Sequence, residues 1–88
     1  MLSEDAWALL REAVKDKHGT IVRTRTMSGL SVGTHGRQFV EERQDPRIEG
    51  RWEYVVRELA EKGLIQDRGF KNEVLAVTDR GYAAAEQP

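Results

Sequence analysis

The chain has 88 residues, 39% of them hydrophobic and 33% charged, with fourteen Lys and Arg against fifteen Asp and Glu and no cysteine. That length gives one domain with one small core; the hydrophobic fraction excludes a disordered chain, and the absence of cysteine excludes disulfides and thiolate zinc sites. A net charge of −1 excludes a uniformly basic protein, no run approaches the roughly 20 apolar residues of a membrane span, and no leader is legible, so a cytoplasmic setting is expected.

Ser3 suits the N-cap of a first helix over residues 4–17, with Glu4 and Asp5 where the helix dipole favours acid. Ala6, Leu9, Leu10, Ala13 and Val14 recur at helical spacing, Trp7 widens the stripe, and Gly19 suits the stop. Thr20–Thr26 is rich in β-branched residues and reads as a strand. Ser28-Gly29 marks a turn, residues 30–32 a short second strand, and Thr34-His35-Gly36 another turn. Residues 37–42 read either as the third strand of a meander or as a short helix capped by Thr34; the glycines favour the strand.

Asp45-Pro46 opens a long helix, since Asp caps and Pro fits the first position, where no donor is needed. Ile48, Trp52, Val55, Val56 and Leu59 share one face of it, and Gly63 takes the C′ position. Short strands follow around 64–68 and 73–77, joined by Gly69-Phe70-Lys71-Asn72. Thr78 caps a last short helix containing Asp79, Tyr82 and residues 83–85. Trp7 and Trp52 are expected to meet between the helices. No repeat or linker interrupts the order, so a single domain spans 1–88.

One string carries a resemblance. Leu59-Ala60-Glu61-Lys62-Gly63-Leu64-Ile65, the hairpin, and Val77-Thr78-Asp79-Arg80-Gly81-Tyr82 resemble the wing half of winged-helix regulators of the MarR and PadR types. Those show a helix ending L-x-x-x-G-L-I, a two-stranded wing, and L-T-x-x-G; Val77 stands where the family usually has Leu. The chain also resembles winged-helix-like accessory domains of larger bacterial proteins. The resemblance covers residues 46–86 and implies a DNA-binding fold. Residues 20–44 show turns and β-branched residues where that family has the second helix of its helix-turn-helix.

Charge is segregated within the near-neutral total. Residues 17–40 contain no acid but hold Lys17, Arg23, Arg25 and Arg37, while residues 73–88 are net −2. Arg23 and Arg25 share a strand face and, with Arg37, are candidates for phosphate contact; a polar hairpin with a chance gap in acids is the other reading. Arg47, Arg51 and Tyr54 lie on one flank of the long helix, near the end that a recognition helix presents to the major groove. The other reading is that Arg47 and Arg51 are solvated arginines paired with Asp45 or Glu58. Arg68 and Lys71 flank Phe70 at the wing, where they would touch backbone phosphate or simply surround a packed aromatic. Glu53 and Arg57 form a favourable i,i+4 pair.

No enzymatic constellation is legible. His18 and His35 lack zinc spacing, Gly29, Gly33 and Gly36 precede no Gly-Lys-Ser/Thr, and no nucleophile–base pair emerges. No cofactor or metal is expected. The expected fold is α+β: a small winged-helix-like domain, with the N-terminal and long helices packed on a small antiparallel sheet that ends in a wing hairpin. Double-stranded DNA binding is the leading expectation, as a transcription regulator or a module of a larger protein. The alternative is a protein-interaction or dimerisation module; Glu49, Glu53, Glu58 and Glu61 favour it, because they would repel phosphates.

Overall fold

The computed structural model describes residues 2–27, 29–43, 45–69 and 73–86, the side chains of 41–43 excepted. The elements are α1 (Glu4–Ala13), β1 (Thr20–Thr26), β2 (Gly29–Thr34), β3 (Arg37–Arg43), α2 (Pro46–Glu61), β4 (Ile65–Asp67), β5 (Val74–Val77) and α3 (Asp79–Ala85). The strands form one antiparallel sheet in the order β3-β2-β1-β5-β4. This is an α+β domain with helices on an antiparallel sheet. Among the described residues between α1 and α2 there are strands and turns but no helix, so the ambiguous 37–42 segment is a strand and Thr34 caps no helix. The Lys71 expectation, with Phe70 and Asn72, lies outside the described residues, as does Ser28 of the first turn.

Side-chain alternation divides the sheet into two unlike faces. Ile21 stands opposite both Thr34 and Leu75, Arg23 opposite Val32, and Arg25 opposite Leu30; these residues face the helices. Leu9, Leu10, Leu59 and Ile65 close the core over them, all essentially inaccessible to water. Burying such a side chain contributes roughly 1.5–3 kcal/mol, which makes this layer the main source of stability. Among the described residues Thr34 is the polar residue that is buried, and its hydroxyl donates to the Thr20 carbonyl at 2.6 Å, so it is not stranded. The opposite face carries Val22, Thr24, Ser31, Gln66 and Val74, and Val22 remains 45% exposed.

Local signals explain the element ends. Ser3 accepts from the Ala6 amide at 3.2 Å, and α1 gives way to turns after Ala13, four residues before the expected end. His35 (φ 52°) and Gly36 (φ 75°) both take positive φ between the paired Thr34 and Arg37. That two-residue turn matches the twist of the flanking strands. The β2–β3 register shifts on either side of Val32, which blunts the exposed edge of β3 against further pairing.

The Asp45 carboxylate accepts from the Arg47 amide at 3.0 Å and starts α2. At the other end the Gly63 amide bonds to Ala60 O and the Leu64 amide to Leu59 O, both at 3.0 Å, while Gly63 takes φ 73°. This is a Schellman closure, and it aims the chain into β4. Thr78 caps α3 by accepting from the Gly81 amide at 3.0 Å. The aromatic pairing differs from expectation. Trp52 packs on Phe39, with ring centroids 5.3 Å apart, while Trp7 carries the Arg11 guanidinium at 5.2 Å. The bulged strand β3 brings Phe39 over α2, which local periodicity could not reveal.

Candidate functional site

Arg23 and Arg25 share the parity of Ile21, so a strand that buries Ile21 also turns them toward α2. There they meet acid. Arg23 donates from Nε and Nη2 to the two carboxylate oxygens of Glu53 at 2.5 and 2.7 Å. The pair is largely screened from water, with side chains 19% and 29% exposed. The hydrogen bond from Arg23 holds the Glu53 carboxyl below its usual range, and the same bond raises Arg23 further. Arg25 Nη1 reaches Glu49 Oε1 at 2.9 Å, and Nη2 lies 3.9 Å from Glu53 Oε2. The two strand arginines and two helix glutamates thus form a continuous seam between β1 and α2.

Of the other predicted residues, Arg37 and Arg68 stand apart, whereas Arg47, Arg51 and Tyr54 share the outward side of α2. Arg51 makes a bidentate bond to Asp5 of α1 at 2.5 and 2.7 Å, which holds that carboxyl below its ordinary value. Its partner is neither Asp45 nor Glu58. Arg37 lies 4.6 Å over the Phe39 ring and 3.8 Å from Glu12. Arg68 is exposed on the far side of the sheet, where His18, Arg68, Thr20 and Val74 line an open depression. Arg47 and Tyr54 are exposed on α2, Tyr54 by 63%. The described arginines therefore spread over the seam, the α1 side, the outer sheet face and the exposed face of α2.

The acids of α2 are placed differently from expectation. Glu49 and Glu53 turn into the seam. Glu58 accepts from the Ser3 amide at 3.1 Å and the Ser3 hydroxyl at 2.9 Å, at the positive end of the α1 dipole. Glu53 takes Arg23 as its bonded partner and the expected Arg57 acts on it only through space, so Arg57 stays exposed without a carboxylate in salt-bridge range among the described residues. With about 100° per residue, Arg47, Gly50, Arg51, Tyr54 and Arg57 form one outward ridge.

Beside that ridge, between α2, β1 and β5, lies a cleft of about 230 Å³ lined by Arg23, Glu53, Val56, Arg57, Ala60 and Leu75. Arg57 stands on the border between ridge and cleft. Sequence reasoning missed it, although a cation at i+3 from an exposed Tyr on the same helix was a readable signal. Among the described residues no three His, Cys, Asp or Glu side chains are grouped to hold a metal, and no helix is long and apolar enough to cross a membrane. Comparison with protein-family models, curated proteins and solved structures finds no match for this chain.

Proposed function

We propose that this domain is a protein-recognition module that binds through the outward ridge of α2. The observation that carries the reading is Tyr54: a large aromatic, 63% exposed, on a rigid helix among Arg47, Arg51 and Arg57. Tyr and Arg dominate binding hot spots, because each offers a large contact surface with a polar end. The Asp5 bond holds Arg51 in place before any partner arrives, which lowers the ordering cost of association.

A winged-helix-like reading is supported by α1, β1 and α2 packed with the β4–β5 hairpin, and by strand order β4-β5-β1 within the sheet. The β2–β3 hairpin stands where a helix-turn-helix would need its second helix.

Double-stranded DNA is the second reading. It is favoured by Arg47, Arg51 and Tyr54 sharing one exposed face with Glu49, Glu53 and Glu58 turned away. Duplex affinity rests on phosphate neutralisation, however. Three of the predicted cations, Arg23, Arg25 and Arg51, already have carboxylate partners within the chain, and Arg23 is also largely screened from water. The outer sheet face, with Thr24, Ser31 and Gln66, presents no aromatic among the described residues for single-strand bases to stack on.

The test is selection from a random peptide display library against the domain and against Tyr54→Ala. Enrichment of a motif by the wild type alone supports protein recognition. No enrichment, together with duplex binding whose log–log salt slope is about −4 or steeper, establishes the DNA reading instead.

A further inference from the structure

Resting on the protein-recognition reading, we infer that the partner is a second copy of this chain. The two copies dock their α2 helices antiparallel, across a two-fold axis at Tyr54.

Spacing along the helix carries the inference. Arg47 and Glu61 each stand seven residues from Tyr54, one on either side. Seven residues make close to two turns, so at about 100° per residue the three share one line on the outward face. Arg47 and Glu61 are exposed, and neither makes a salt bridge among the described residues. Asp45 and Lys62, the caps of α2, lie at least about 80° round the helix from that line. The ridge therefore carries opposite charges at its two ends and an aromatic at its midpoint. Its complement is the same ridge turned end for end. Under two-fold symmetry residue i of one subunit meets j of the other, and j meets i. Antiparallel docking centred on Tyr54 sets each Arg47 against the Glu61 of the other copy and brings the two Tyr54 rings together. Parallel docking sets like charge on like at both ends. A uniformly acidic or uniformly basic partner suits one end and opposes the other.

The flanks fit the same register. Arg51 and Glu58 lie to one side of the Tyr54 line, Gly50 and Arg57 to the other. A two-fold axis at right angles to both helices matches each flank with itself, reversed. Arg51 of one copy then runs beside Glu58 of the other, and Arg57 runs beside Gly50, where a Cβ would meet open space. Arg51 and Arg57 reach the same height on opposite flanks, so these like charges do not meet. Length sets the strength. From Arg47 to Glu61 the contact spans about 21 Å of helix at 1.5 Å per residue. One helix of that length covers less than the roughly 800 Å² per partner of a standard interface, so the dimer is weak and reversible.

Sedimentation equilibrium from about 10 µM to about 1 mM, the range in which a weak dimer forms, tests this. The samples are the wild type, Arg47→Glu, Glu61→Arg and an equimolar mixture of the two variants. Both substitutions lie at exposed positions and suit the helix dipole, and thermal melting confirms that both fold. The wild type is expected to dimerise. Each variant alone opposes like charges at both ends and should associate at least about tenfold more weakly. The mixture should recover association near that of the wild type, because each mixed pair again joins opposite charges at both ends. A wild type that stays monomeric while a Tyr54-dependent peptide motif is selected overturns the second copy and leaves the recognition reading standing. A dimer indifferent to both substitutions, or variants that do not rescue each other, also overturns it. A monomeric wild type that selects no peptide overturns both readings.

Discussion

The two sides of α2 use the same residue types to opposite ends. Toward β1, Glu49 and Glu53 meet Arg25 and Arg23, and the charges cancel within the fold. Toward solvent, Arg47 and Arg57 make no salt bridge among the described residues, and Tyr54 stands exposed between them. The difference comes from neighbours, not from composition. A charge beside a complementary strand becomes part of the scaffold, whereas one on the outward side stays available. Counting arginines therefore overstates the surface that a ligand could meet.

The comparison breaks first at Glu53. Glu53→Ala leaves the Arg23 guanidinium largely screened from water without its acceptor. A loss of about 2 kcal/mol is expected, since removing one member of a buried pair costs more than the pair is worth. For a domain this small, that lowers Tm by roughly 8–16 °C in a circular-dichroism melt. The double replacement Arg23→Met with Glu53→Leu should recover most of the loss, because it strands no charge. A double variant as unstable as the single one would show that the seam contributes more than neutralisation.

Acid should erase part of the seam. The Glu53 carboxyl is depressed in the folded state by its bond to Arg23. Its contribution is therefore present above the carboxylate's ordinary value and lost as pH falls through the depressed one. Wild type and Glu53→Gln should differ most near pH 7 and converge once the pH falls below the depressed value, where protonated Glu53 resembles the amide. Urea unfolding across that range checks this, and a constant difference would contradict it.

A smaller effect is expected at Arg25, whose side chain is 49% exposed. Arg25→Ala should cost about 0.5 kcal/mol, and less in high salt, as solvent screens the pair. The smallest effect on stability belongs to the ridge. Tyr54→Ala and Arg57→Ala should change stability by less than about 0.5 kcal/mol while removing peptide binding. A large fall in Tm from Tyr54→Ala would erase the distinction between the two sides.

The backbone was more legible than the site. Ser3, Asp45-Pro46, Gly63 and Thr78 each act through a capping geometry that involves only nearby residues, and each marks an element end in the structure. The β-branched residues of Thr20–Thr26 also marked the strand, whose alternation turns Arg23 and Arg25 inward with Ile21. What opposes them was hidden, because Glu53 lies 30 residues from Arg23 and Asp5 lies 46 from Arg51. Pairings at such separations depend on how α1, β1 and α2 stack, which no local pattern encodes. The Phe39–Trp52 contact was hidden for the same reason, with the added register shift in β3.

The most direct measurement is an amide chemical-shift map of the domain titrated with a peptide enriched in the selection. The account predicts perturbations centred on Arg47, Gly50, Arg51, Tyr54 and Arg57, with Val22, Thr24, Ser31 and Gln66 on the outer sheet face unmoved. Perturbations centred on the outer sheet face, with α2 silent, would contradict it.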